Sequence, residues 1–260
     1  MDDYRKLENQ PLQFVLAEFR FTPVMQLADY IPKLQDWLRR QYPNTRIVEG
    51  QSIHMHNGDI TVSPVRRWIF VSADKKSAVD ASQEKVVYVT ANYPRFDGFR
   101  AACQQIIEPF ASIVEPSLVQ RIGLRYGDLV KAGEDEALPD LVNSTFIVTQ
   151  EFVDLGKAVE QQRTETLVQT DVGSLAIRSL YGVNNLRCFP DIHNGPIVIE
   201  PDQESSERII LDFDHFWSAN EDSVGFDPED ILGRLTDLHE KSREAFWRVT
   251  SDYARNKKWS

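Results

Sequence analysis

The chain has 260 residues, 42% of them hydrophobic and 27% charged, with a formal net charge of −11. That is enough apolar material for one large core or two small ones tightly joined. No apolar run approaches the ~20 residues needed to span a bilayer, and the opening "MDDYRKLENQ" lacks the basic-then-apolar pattern of a secretion signal. Lys and Arg do not cluster as nonspecific nucleic-acid binding requires. The expectation is a cytoplasmic protein with no membrane partner. The two cysteines agree with that compartment, and Cys103 falls on the apolar stripe of a helix, where it reads as a small core residue.

In chain order, alternation from Leu12 to Thr22 places Val15, Ala17, Phe19 and Phe21 on one face and Glu18 and Arg20 on the other, which predicts a half-buried strand. A helix follows with Ile31, Leu34 and Leu38 as its stripe, Leu27 just ahead, Trp37 and Tyr42 extending the apolar side, Asp29 as candidate N-cap and Pro32 in the first turn. Between Thr45 and Val62, two short strands flank Asn57-Gly58, a dipeptide suited to a tight hairpin turn. His54 and His56 share a strand face before that turn. They read as hairpin-surface histidines, since a metal site would need further ligands.

Strands are expected at Arg67–Ala73 and Lys85–Asn92, joined across "ADKK". Next comes a helix in which Phe96, Phe99, Cys103, Ile106, Phe110 and Ile113 recur at spacings of three and four, with Pro109 expected to kink or split it. A strand at Leu118–Tyr126 puts Arg121, Gly123 and Arg125 on one face. A glycine between two arginines leaves room for a planar anionic group, or both arginines pair with acids on neighbouring strands.

Residues 131–143 are polar and broken by Gly133 and Pro139, the best candidate connector between halves 1–130 and 144–260, unless the chain forms one continuous domain. Strand-like runs follow at Ser144–Phe152, Thr164–Thr170, Ser174–Tyr181, Ile197–Glu200 and Arg208–Asp214. A long helix begins after Asp227, with Pro228 in its first position and Ile231, Leu235, Leu238, Ala245, Val249 and Tyr253 along one side. His239 borders that stripe and reads as a packing residue. Runs of strands punctuated by a few long helices predict an α+β fold: two strand-rich halves, each closing with a long amphipathic helix packed on one face of a curved, mainly antiparallel sheet.

The charge is uneven. Eleven acids between Glu200 and Asp230 face one base, Arg208, so this window supplies −10 of the −11. It reads either as a solvated loop or as a surface for a basic partner.

Taken in order, "PLQFVLAEFRFTP", "IPKLQDWLRRQYP", "WIFVSADKK", "VVYVTANYPRFDGFRAAC", "RIGLRYGDLV", "LDFDHFW" and "LTDLHEKSREAFWRVTS" resemble the signature of an uncharacterised, sporadically distributed bacterial protein family, along nearly the whole chain. The resemblance implies a bacterial cytosolic protein. The patchy distribution points to conditional genes such as toxin–antitoxin or phage-defence cassettes, and no catalytic residue is carried over.

Two functions follow as expectations. In the first, a non-catalytic protein binds a protein partner through its sheet face and acidic segment, using Arg121, Arg125, Asp212 and Asp214, with no cofactor. In the second, a metal-dependent hydrolase or transferase uses Asp212 and Asp214, which lie two residues apart on one strand face and could share Mg²⁺.

Overall fold

The computed structural model describes residues 4–5, 7–56, 59–147, 154–156, 159–192, 195–219 and 222–260, without side chains for 52–63. Its strands are β1 (Leu12–Phe21), β2 (Asn44–His56), β3 (Asp59–Val71), β4 (Ser77–Ser82), β5 (Lys85–Thr90), β6 (Leu118–Val130), β7 (Gln161–Gln169), β8 (Ser174–Asn184), β9 (Ser206–Ser218) and β10 (Val224–Gly225). The helices are α1 (Leu27–Leu38), α2 (Phe96–Ile113), the single turn α3 (Leu138–Leu141) and α4 (Pro228–Val249). The described strands form one open sheet in the order β2-β3-β4-β5-β1-β6-β9-β8-β7, with β10 added beside β6, and every pairing is antiparallel. This is the expected α+β class.

The alternation read in β1 sets the two sides. Val15, Ala17, Phe19 and Phe21 are all fully buried and join Leu27, Leu34 and Leu38 of α1, Phe99, Cys103, Ile106 and Phe110 of α2, and Ile231, Leu235 and Leu238 of α4 in the main core. Each such Leu, Ile or Phe contributes about 1.5–3 kcal/mol of burial. The long helix near the end of the sequence thus packs over strands from its beginning. A second core on the same side joins Leu211 and Phe213 of β9 to Ala245 and Val249 of α4. His215, fully buried, donates from Nδ1 to the Leu238 carbonyl (3.0 Å) and ties β9 to α4.

Residues 185–192 and 195–205 fold across part of the opposite face, where Cys188, Ile192, Ile197 and Ile199 cover Phe14, Ile69 and Val89. Arg208, fully buried, holds this excursion in place by donating to the Leu186 carbonyl (3.0 Å), Asp202 (2.8 Å) and Ser206 Oγ (2.6 Å). Gly127 is required where β6 crosses β1, because a Cβ there would lie 2.1 Å from the Phe14 ring.

Several expectations change. α1 begins at Leu27, so Asp29 lies in its first turn rather than capping it, Pro32 falls deeper inside, and Trp37 is exposed, its Nε1 donating to the Gln105 carbonyl (3.3 Å). α2 runs unbroken through Pro109, whose ring is buried with the stripe. The strand β4, "SAVDAS", was not expected: its small residues alternate weakly, yet it pairs with β3 and β5 in the interior of the sheet. Ser144–Phe146 is a 3₁₀ turn capped by the Asn143 side chain, and positions 148–153 lie outside the described residues. Ile197–Glu200 has no ladder partner and is held by burial of Ile197 and Ile199. The Asn57-Gly58 turn and the side chains of His54 and His56 lie outside the description, although His56 and Asp59 pair on either side of the turn. The connector leaves the sheet continuous, since β6 of the first half pairs with β9 of the second over ten residue pairs.

Candidate functional site

The four residues read from sequence do come together on the sheet face opposite the helices, and they hold one another. Asp212, fully buried, accepts from Arg125 Nε (2.8 Å) on one oxygen and from Arg178 Nη2 (2.6 Å) on the other. Arg125 also forks onto Asp191 (2.7 and 3.0 Å). Arg121 donates to Glu18, which further takes Arg20 (2.8 Å) and Lys85 (2.9 Å), while Asp214 stands 3.8 Å from both Arg121 and Arg178.

The gap over Gly123 is filled from within. The Arg121 guanidinium lies across it, 4.3 Å from the Phe216 ring centroid, so the expected planar group is the protein's own. Burial would push the Glu18 carboxyl up, but the hydrogen bond from Arg20 and the charges of Lys85 and Arg20 outweigh it and hold the pKa at about 2. Burial works against the Arg125 charge, yet its bonds to Asp191 and Asp212 raise it above its usual value, so Glu18 and Arg125 stay ionised, while burial raises the Asp212 carboxyl against the pull of Arg125 and Arg178. A divalent ion at Asp212 would have to displace two guanidinium groups. Among the described residues no group of three or more His, Cys, Asp or Glu is placed to hold a metal.

The acids of 200–230 do not form one surface either. Asp202 pairs with Lys131 and Arg208, Glu207 accepts from Tyr181, Asp212 is buried, and Asp227 caps α4 by accepting from the Glu229 and Asp230 amides (2.9 and 3.0 Å). A strand runs through the middle of the window, and alternation sends its side chains to both faces.

The other side of the sheet holds a cavity of about 640 Å³ between α2, α4, β6 and the segment carrying Tyr4, Arg5, Leu7, Gln10 and Leu12. That volume lies within the range of small-molecule sites. Its most buried polar wall comes from β6, where alternation points Tyr126 and Asp128 toward the helices. Tyr126 Oη and His239 Nδ1 are 2.8 Å apart, and the His239 ring stacks on Phe96 at 3.8 Å between centroids and 6° between planes. Burial, with the nearby Arg243 charge, lowers the His239 pKa to about 3, and burial raises the Tyr126 hydroxyl well above its ordinary value. The pair is therefore neutral.

Asp128 is 3% exposed, and its carboxyl has no hydrogen-bond partner among the described residues. Burial, with the Asp212 charge across the sheet, pushes its carboxyl up to about 8. The outer wall carries Arg5, Arg95, Arg100 and Arg243 against Asp97 and Glu240. Arg95 precedes α2 with φ +80° and ψ 170°, a backbone region usually left to glycine and costing about 1–3 kcal/mol.

Sequence reading took His239 for a packing residue and passed over Asp128, Tyr93, Arg95 and Arg243. One signal was present: Ile122, Leu124, Tyr126, Asp128 and Val130 alternate onto one face, so Asp128 is a carboxyl in an apolar row. No protein-family model matches this chain, and no curated protein matches it.

Proposed function

We propose that this is a non-catalytic binding protein that holds a small molecule in the cavity between α2, α4 and the sheet. The observation that carries this reading is Asp128 on the wall of an open cavity: its carboxyl is 3% exposed, has no side-chain partner among the described residues, and is open to a ligand's hydrogen bonds. Catalysis is the weaker use of the same wall. A His239 that stays neutral down to about pH 3 is a poor base at neutral pH. Cys103, whose burial raises its pKa, lies in the core and is a poor nucleophile.

Native mass spectrometry of the purified protein tests the reading. A bound small molecule is expected in the wild type and lost in Thr236→Trp, which fills the cavity. No adduct in the wild type, or equal retention in a folded Thr236→Trp, would remove it.

The sheet face supports a second reading, docking of a protein partner in a bacterial cytoplasmic setting, because Asp191, Arg20 and Asp214 keep side-chain exposures of 55%, 42% and 26% beside the buried pairs. Asp214→Asn is the informative variant, since Asp212 is structural. Co-purification with the products of adjacent genes, lost in Asp214→Asn, is the expected result for that reading, and the identity of those genes tests the defence-cassette setting.

A further inference from the structure

The chain is strongly acidic overall, yet four arginines converge on the outer wall of the cavity. Arg95 and Arg100 donate to no described residue, and the Nε of Arg243 is the one buried side-chain nitrogen or oxygen among the described residues without a partner. The Arg243 guanidinium sits 4.4 Å above the Tyr4 ring. This wall attracts an anion and offers planar donors to bind it. The first turn of α2 lies in the same wall without a side-chain cap, so its amides add positive potential.

The inner wall asks for different chemistry. Asp128 has two carboxyl oxygens and no described side-chain partner. Below about pH 8 it keeps a proton and offers one donor and one acceptor, and once ionised it offers two acceptors that two adjacent N–H donors on one edge of a ligand would engage. Between inner and outer walls the lining is aromatic: Tyr93, Phe96, Tyr4 and Trp247, together with the neutral His239 ring. Such surfaces take a flat ring by stacking, worth about 1–3 kcal/mol per base where proteins hold nucleobases.

Resting on the cavity being the functional site, we infer that its ligand is a planar nitrogen heterocycle with two adjacent N–H donors, of the guanine or pterin kind, bearing an anionic tail. The donor edge meets Asp128, the ring lies among the aromatic side chains, and the tail reaches Arg100 and Arg243. The volume admits one such molecule with room for water. Guanine nucleotides and pterin carboxylates share this chemistry, and the probes below separate them.

Isothermal titration calorimetry at pH 8.5, where the Asp128 carboxyl is ionised, and at low salt would use five probes: guanosine 5′-monophosphate, guanosine, adenosine 5′-monophosphate, pterin-6-carboxylate and inorganic phosphate. At least one of the guanosine monophosphate and pterin arms is expected to bind ten-fold or more tightly than both guanosine and phosphate. Adenosine monophosphate, whose ring edge sets one amino donor beside an acceptor, is expected ten-fold or more below the tighter of those two arms. Asp128→Asn should erase the preference for the guanine or pterin edge. Arg100→Gln should bring guanosine monophosphate toward the affinity of guanosine and leave guanosine unchanged, a split that a folding defect would not produce. Adenosine monophosphate or phosphate binding as tightly as the best probe would overturn the ring assignment while the cavity stands as a binding site. Binding of none of the five overturns the ligand class, and the adduct test with Thr236→Trp then decides the cavity reading separately.

Discussion

The two faces of the sheet carry ionisable groups of the same kinds and treat them in opposite ways. On the face away from the helices, Asp212 takes Arg125 and Arg178, and Glu18 takes Arg20, Lys85 and Arg121, so buried charge is matched within the protein. On the helix-covered face, Asp128 lies just one residue beyond the pairing partner of Asp212 on β6, and its carboxyl has no described partner. Burial alone does not distinguish them, since both are almost wholly enclosed. What differs is the neighbour: guanidinium groups in one case, an open cavity in the other. A matched cluster holds strands in register, whereas a carboxyl that opens onto a cavity is left to bind something else.

The largest expected effect comes from breaking the matched side. Asp212→Ala leaves Arg125 and Arg178 facing an empty site and should cost about 3–5 kcal/mol in urea unfolding. The unmatched side should respond in the other direction. Because the Asp128 pKa is raised in the folded protein, the native state holds a proton that the unfolded chain has lost between about pH 4 and about pH 8. Stability should therefore fall as pH rises through that window, by up to about 1.4 kcal/mol per unit from this group, and Asp128→Asn should flatten the slope and be the more stable protein at pH 8. Glu18 has the opposite sign. Held at about 2, it contributes stability above its ordinary pKa that is lost as pH falls toward 2, so acid melts of Asp128→Asn should still show that limb.

Smaller effects sharpen the contrast. Tyr126→Phe strands the His239 Nδ1 and should cost about 1–2 kcal/mol by denaturant titration, well below Asp212→Ala, because a neutral hydrogen bond is lost rather than an ion pair. Asp227→Ala removes the cap of α4, far from both clusters, and should cost about 1 kcal/mol without changing the pH profile between 4 and 8.

Much of this architecture was legible. The alternation of β1 and β6, the stripes of α2 and α4 and the Asp227-Pro228 start of the long helix all survive in the structure, because period and capping are local properties. The strand β4 escaped because Ser, Ala and Asp carry little β signal, and its place is decided by β3 and β5 on either side. The mutual pairing of Arg121, Arg125, Asp212 and Asp214 was foreshadowed by their strand faces but not by their partners: Arg178 and Asp191 come from segments that sequence alone does not align with β6. The cavity was least legible. Its wall is assembled from residues 4–5, 7–12, 93–100, 126–128, 213 and 236–247, and no spacing rule links them.

The position of α4 has a consequence for how the polypeptide is made. Strands β1 to β6 leave the ribosome long before Ile231, Leu235 and Leu238 exist to cover the part that α1 and α2 leave open, so a nascent chain halted after Val130 presents a greasy strip along that side. A fragment ending there should need a chaperone or fall out of solution, and supplying residues 131–260 in trans should rescue it.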